Sequence, residues 1–291
     1  GPLTAEAMLE LISEHGGFDG FLNGDDDINR EVIDAALAAD TPLKVIAKYG
    51  IGLDSIDVDY ATEKNIPVLF TPGVNHTTVA EHAFGLMIAS VKHFWPHMRA
   101  VKNGHWKRIT GNELAGKTLA ILGMGRIGKE VAKRARAFDM NVVGYDVYWD
   151  DEFAKGHAVH RCEHCQDALN AADVVTLHMP ATDETREMIN NQTLSHMKDG
   201  VIIINTARGT LVREEDIVEA CRSGKIGAYA TDVLTVEPIQ TPHPFQDIDN
   251  ILITPHVGSR TLESVERQAV RATTNIIEYL NGGSDYIQAN K

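Results

Sequence analysis

The sequence predicts an α/β protein whose larger part is a doubly wound parallel sheet. Three observations predict it. Apolar runs of strand length alternate with segments of helical period through most of the chain. One such run, Thr118–Leu122, passes directly into Gly123-Met124-Gly125-Arg126-Ile127-Gly128 and then into a helical stripe. No internal repeat, low-complexity tract or flexible linker breaks the alternation, as expected of consecutive strand–helix–strand units.

The elements follow in order. The chain opens with a helical stripe at Leu3, Ala7, Met8, Leu11 and Ile12, with no strand before it, and Gly1-Pro2 looks like a tag remnant. Asn29 is placed to cap a helix whose stripe is Val32, Ile33, Ala36 and Leu37. Lys44–Tyr49 reads as a strand, with Gly50-Ile51-Gly52 looping from its C-terminal end. Ile56–Lys64 reads as a helix and Pro67–Phe70 as a strand, so residues 1–77 form a small α/β unit. Thr71-Pro72-Gly73-Val74-Asn75 punctuates the chain, and a long helix runs from about Thr77 to Lys92. Lys102–Trp106 reads as a loop. Further strands are expected at Asn141–Tyr145, Ala158–His160, Val174–Leu177, Val201–Asn205, Ala228–Asp232 and Ile251–Thr254. Helices separate several of them, notably Arg126–Phe138 and Arg213–Arg222. A last helix, Thr261–Leu280, ends at Asn281-Gly282-Gly283, a good C-terminal cap.

Composition narrows the function. The 291 residues suffice for two domains and a large core. With 27 basic and 41 acidic residues the net charge is −14, which disfavours nucleic acid and anionic membranes as partners. No apolar stretch is long enough to span a bilayer and no signal peptide is visible, so a cytoplasmic protein is expected. Three cysteines, Cys162, Cys165 and Cys221, make no disulfide framework. Cys162-Glu163-His164-Cys165, near His160, invites a zinc or redox reading, but no second ligand pair follows. Reduced thiols at a helix entry and no metal are the expectation.

The glycine segment has the G-x-G-x-x-G spacing in its required strand–turn–helix–strand setting, the Rossmann dinucleotide fingerprint. Gly123 permits the tight turn, Gly125 lets the backbone approach a pyrophosphate, and Gly128 lets the helix press on the strand. The helix N-terminus at Arg126 and Ile127 offers unpaired N–H groups to the phosphates. Asp146 lies 146 − 128 = 18 residues past the last glycine, where a carboxylate accepts from the ribose hydroxyls and repels a 2′-phosphate. NAD is therefore expected rather than NADP.

Ligands of open parallel sheets bind beyond the carboxyl ends of the strands. That rule selects Asn205-Thr206-Ala207-Arg208-Gly209, Thr231-Asp232 and Thr254-Pro255-His256-Val257-Gly258, with Glu237-Pro238 in the loop after Asp232. The arginine fork suits the planar carboxylate of an organic acid. The histidine suits proton transfer near neutral pH, and a carboxylate behind it would orient the ring. Singly, Arg208 could bind a helix C-terminus, Asp232 cap a helix, and His256 be a satisfied rim histidine. Together, on one rim beside a dinucleotide, they point to catalysis.

These segments resemble the D-isomer-specific 2-hydroxyacid dehydrogenases, in the branch of phosphoglycerate dehydrogenase and glyoxylate/hydroxypyruvate reductase. Gly50 to Asp57, Gly73-Val74-Asn75, Val79-Ala80-Glu81-His82 and Leu177-His178-Met179-Pro180 carry the resemblance with the glycine turn and the rim segments, all in family order. The resemblance implies a two-lobed fold: a Rossmann cofactor domain, residues 78–258, inserted into a smaller flavodoxin-like substrate domain, residues 1–77 and 259–291. It makes Arg208 the carboxylate ligand and His256 the acid/base with Glu237 as partner. Asp232 would hold the nicotinamide carboxamide. Thr78, His178, Pro180, Thr206, Ala207 and Gly258 would line the cofactor, and backbone N–H groups near Ile51 and Gly52 would complete the carboxylate site. A homodimer through the cofactor domain, near Trp106, is implied.

Three departures matter. The family's opening strand is missing, so the first lobe is expected to be incomplete. The sequence runs to Lys291, and an appended regulatory domain is not expected. Where phosphoglycerate dehydrogenases carry a basic residue for phosphate, this chain has Asn23-Gly24-Asp25-Asp26-Asp27. The expected substrate is thus a small unphosphorylated 2-oxo acid, hydroxypyruvate or glyoxylate. The rivals are D-3-phosphoglycerate dehydrogenase, with Lys48 or another base as the phosphate contact, and an NAD(H)-sensing binding protein like the C-terminal-binding corepressors. Formate and phosphite dehydrogenases share the fold and rank lower.

Overall fold

The computed structural model describes residues 2–290. The chain divides into two compact units, Gly1–Asn75 with Arg260–Lys291, and His76–Ser259.

The smaller unit is a three-stranded parallel sheet, order β1-β2-β3, from β1 (Gly20–Asn23), β2 (Val45–Lys48) and β3 (Val68–Leu69). All four residues of β2 are buried, because helices cover both faces. Ile46 and Val68 pack with α1 (Ala5–His15), α2 (Arg30–Ala38) and α3 (Val58–Glu63). Val45, Ala47 and Leu69 face Ile276 and Tyr279 of the C-terminal helix, Leu262–Leu280. The return of that helix to this sheet is why residues after Arg260 belong here. Asn29 caps α2 as expected, its Oδ1 accepting from Val32 N at 3.1 Å.

The larger unit runs from α4 (His76–Val91) and α5 (Phe94–Lys102) into β4 (Thr118–Leu122), α6 (Arg126–Ala137) and β5 (Asn141–Tyr145). Then come α7 (Asp151–Gly156), β6 (Val159–Arg161), α8 (Cys165–Ala171), β7 (Val174–Leu177), α9 (Asn191–His196) and β8 (Val201–Asn205). It closes with α10 (Glu214–Ser223), β9 (Ile226–Thr231) and β10 (Ile251–Ile253). The seven strands are all parallel, in the order β10-β9-β8-β7-β4-β5-β6. Side-chain alternation serves both faces. Ala120, Leu122, Val175, Leu177, Val201 and Ile203 point toward α8, α9 and α10. Leu119, Ile121, Ile202 and Ile204 point toward α4 and α6. Strand order reverses between β4 and β7, and ligands of such sheets bind beyond the strand ends at that switch point.

The sequence reading has no counterpart to α5. Apolar residues mark a helix in sequence when they face a core, but here Phe94, Trp95, Met98 and Val101 are about half exposed. No helix among the described residues is long and apolar enough to cross a membrane. Cys162 and Cys165 stand as free thiols at the entry to α8, and burial pushes Cys165 up to about 11.

Candidate active site

The glycine turn is built by close approach on one side and open space on the other. Gly123 has φ +98°, and a Cβ there would sit 2.6 Å from the carbonyl carbon of His178. The loops after β4 and β7 therefore touch at the switch point. A Cβ on Gly128 would meet the Gly123 oxygen at 2.1 Å, so α6 presses directly on the turn. At Gly125 a Cβ would meet nothing within 4 Å. Gly125 is also the N-cap of α6 and has no side chain to occupy the first N–H groups. Those donors remain available to an anion.

Asp146, at the end of β5, lies against this turn. Its Oδ2 accepts from Met124 N at 2.6 Å and its Oδ1 from Tyr148 N at 2.8 Å. Two buried polar atoms nearby in the fold, His178 Nδ1 and Thr206 Oγ1, have no hydrogen-bond partner among the described residues. Buried polar atoms are rarely left so in a finished structure. Burial pushes His178 down to about 3, so its ring is neutral, with Nε2 held 2.8 Å from Thr176 Oγ1. An open anion cradle, a carboxylate at the end of the second strand and two unpaired buried polar atoms fit a dinucleotide. Thr78 is buried in the first turn of α4, and Pro180 leads out of β7 with its carbonyl accepting from Thr185 Oγ1.

The second half of the site is the row of loops after β8, β9 and β10. Asn205 is fully buried, its Nδ2 donating to Arg208 O at 2.9 Å and its Oδ1 accepting from Ala207 N at 3.1 Å. This side-chain turn fixes the backbone that carries Arg208. A Cβ on Gly209 would lie 2.0 Å from the Leu234 carbonyl carbon, so the loops after β8 and β9 are in contact. Glu237 sits in that second loop, its Oε1 accepting from Leu234 N at 2.9 Å and its Oε2 lying 2.7 Å from His256 Nδ1. His256 has φ +51° and donates its backbone N–H to Asp232 O at 2.9 Å. Its side chain is about half exposed.

The electrostatics match the geometry. The hydrogen bond that His256 donates to Glu237 is the main cause that raises His256 above its ordinary value, against burial; the charges of Glu237 and Asp232 add to it, and Arg208 opposes it. Asp232 is 2% exposed. Burial alone would raise its carboxyl, but hydrogen bonds from His82, Thr254, Val257 N and Gly258 N outweigh that and hold it low. It accepts from Thr254 Oγ1 at 2.6 Å, Val257 N at 2.9 Å and Gly258 N at 2.7 Å. Asp232 is thus first a brace for the loop that bears His256. A Cβ at Gly258 would come 2.8 Å from Asp232 Oδ2, so the brace needs glycine there.

Arg208, Asp232, Glu237 and His256 come together on the larger unit, on the sheet edge that also carries the glycine turn. Ile51 and Gly52 lie in the smaller unit, where Thr71 Oγ1 donates to Gly50 O at 2.9 Å and steadies their loop. Sequence reasoning gave no role to His82, although its motif was noted. On α4, its Nε2 is 2.9 Å from Thr254 Oγ1 and 3.3 Å from Asp232 Oδ1. Among the described residues no group of three or more His, Cys, Asp or Glu is placed to hold a metal ion.

Comparison with known proteins agrees with this architecture. Residues 84–258 match the NAD binding domain of the D-isomer specific 2-hydroxyacid dehydrogenases. The chain is 40% identical to a hydroxypyruvate reductase of Thermotoga maritima, over 96% of this chain and 93% of that protein. It is 39% identical to a D-3-phosphoglycerate dehydrogenase of Methanocaldococcus jannaschii, over 96% of this chain but only 52% of that protein. The chain thus spans about half the length of the phosphoglycerate dehydrogenase it matches. A D-lactate dehydrogenase of Aquifex aeolicus, solved with NAD and lactic acid, superposes with TM-score 0.83 at 30% identity, over 93% of this chain and 85% of that one. With its glycine turn, its rim and these relatives aligned, the chain belongs to the D-isomer specific 2-hydroxyacid dehydrogenase family, and its larger unit carries that family's NAD-binding domain.

Proposed function

We propose that the protein is an NAD-dependent dehydrogenase that interconverts a small D-2-hydroxy acid and its 2-oxo acid, of the hydroxypyruvate or glyoxylate type. The carrying observation is the His256 Nδ1–Glu237 Oε2 pair at 2.7 Å, within the field of Arg208 on the rim beside the glycine turn. NAD, when bound, supplies or accepts the hydride. Arg208 grips the substrate carboxylate with its planar fork and draws density from the adjacent carbonyl. His256 Nε2 gives its proton to the carbonyl oxygen in reduction and takes it back in oxidation. Glu237 holds the ring through Nδ1 and favours the protonated form that reduction requires. Gly123, Gly125, Arg126, Ile127 and Gly128 hold the pyrophosphate, and Asp146 the ribose. Thr78, His178, Pro180, Thr206, Ala207, Asp232 and Gly258 line the remaining cofactor surface.

The acidic loop supports an unphosphorylated substrate. Lys48 is 4% exposed and directs its ammonium to Gly24 O and, at 2.8 Å, to Asp25 Oδ1. Its charge is already engaged by the loop that would have to admit a phosphate. The 39% identity to a phosphoglycerate dehydrogenase keeps that activity as the second reading. Following NADH absorbance with hydroxypyruvate, glyoxylate and 3-phosphohydroxypyruvate decides between them. A higher kcat/KM on the unphosphorylated acids is expected, and a preference for the phosphorylated one selects the second reading. Tight NADH binding with no turnover on any 2-oxo acid would reject both in favour of a sensor. The exposed Phe94, Trp95, Met98 and Val101 of α5, with Trp106, support a homodimer through this unit. Sedimentation showing a monomer would reject it.

A further inference from the structure

The catalytic pair stands on a second glutamate–histidine pair that the reaction itself does not use. Glu214 opens α10, where a carboxylate is favoured by the helix dipole. Its Oε1 accepts from Thr235 N at 3.0 Å, and its Oε2 lies 3.4 Å from His243 Nε2. Both side chains are mostly buried, at 11% exposure for His243 and 18% for Glu214. His243 Nδ1 accepts from Phe245 N at 3.3 Å, which fixes the tautomer with the proton on Nε2, facing Glu214. Glu214 therefore ties the start of the loop, at Thr235, to its end, at His243.

Glu237 lies between those two ties. The neighbouring backbone N–H groups of Leu234 and Thr235 go to different carboxylates, Glu237 at 2.9 Å and Glu214 at 3.0 Å. Fixing one peptide therefore fixes the donor that aims Glu237 at His256. The same cluster reaches Arg208. His243 packs edge-on to Phe245 with ring centroids 5.0 Å apart, and Phe245 packs edge-on to Tyr229 at 5.6 Å. The Tyr229 hydroxyl lies 3.5 Å from Asn205 Nδ2, which in turn donates to Arg208 O.

We propose that Glu214 and His243 form a clasp that sets Glu237 on His256, so that both are positioning residues for the proton transfer. The proposal deepens the reading of His256 as acid/base and rests on it. The groups facing His256 in this cluster are Glu237, Asp232 and Arg208; the clasp moves only the first of them. Releasing it weakens the pair at 2.7 Å and leaves Asp232 and its loop donors in place.

The test follows the His256 imidazole by NMR in the full chain, its signal assigned by its loss in His256→Gln. In His243→Ala the ring should titrate about one pH unit lower, because the stabilising carboxylate has drifted. The alkaline limb of kcat/KM for reduction should move by the same amount, with about a tenfold loss at pH 8. His243→Gln, which restores a donor toward Glu214, should return both near wild type. Glu214→Gln, nearly isosteric, should reproduce the His243→Ala shift and decides the matter if the alanine variant does not fold. A His256 titration unchanged in His243→Ala and Glu214→Gln overturns the clasp. That outcome is separate from wild-type turnover, whose absence would reject the proposed reaction without touching the titration.

Discussion

Two carboxylates on one rim are built for different work. Asp232 is 2% exposed and accepts from Thr254, Val257 and Gly258, with His82 beside it. Glu237 is 36% exposed and has two partners, Leu234 N and His256. A carboxylate saturated with donors in a buried place stays ionised and holds a loop rigid. One that is half wet and has one oxygen on an exposed histidine raises that ring's hold on its proton. The difference teaches that charge alone does not assign a role. The number of donors already spent on a carboxylate does.

The comparison can be broken in four places. The largest effect belongs to the group that Glu237 serves. His256→Ala should lower kcat roughly 10²–10⁴-fold with NADH affinity nearly intact, since proton transfer contributes about that much. Unchanged kcat in stopped-flow turnover would remove His256 from the reaction. Next comes the brace. Asp232→Asn turns one of its two acceptors into a donor against Val257 or Gly258 N–H, and should cost about 3 kcal/mol in urea unfolding. A loss under about 1 kcal/mol would mean that the loop is held elsewhere.

The tuning carboxylate should show a smaller effect with a definite sign. Because Glu237 raises His256 above its ordinary 6.5, the protonated ring survives to higher pH. Reduction is therefore expected to persist past neutrality and fall as pH rises through that raised value. The stability supplied by the pair follows the same course: present in full below 6.5 and lost as pH climbs through the raised value. In Glu237→Gln the alkaline limb should move down by about one pH unit. A limb that stays in place would detach Glu237 from the histidine. The smallest effect is at the other end of the cofactor. Asp146→Ala should improve the NADP/NAD ratio of kcat/KM by roughly tenfold by removing the acceptor of the ribose hydroxyls. No change in that ratio would mean the carboxylate serves only Met124 N and Tyr148 N.

Much of the candidate site was legible because a parallel sheet turns sequence into position. Arg208, Asp232 and His256 each follow a strand of the parallel sheet, so the strand-end rule names them before any coordinate does. The glycine turn was legible for the same reason, since Gly123 and Gly128 answer to close contacts and Gly125 to open space. The braces were not. His82 meets Thr254 across 172 positions of sequence, and nothing local announces the partnership. Glu214 looks like any acidic residue in a first helical turn, and its tie to His243 exists only once the loop is folded. Helix α5 escaped because its apolar residues face outward, where periodicity carries no mark of burial. Strand ends drifted by a residue or two, as at Val68–Leu69, where the pattern extended over Pro67–Phe70.

A crystal structure with NADH and oxamate, an unreactive mimic of a 2-oxo acid, tests the central claim most directly. The account predicts the oxamate carboxylate in the fork of Arg208 and its carbonyl oxygen about 3 Å from His256 Nε2. A carboxylate bound away from Arg208, or a His256 ring turned from the carbonyl, would contradict it.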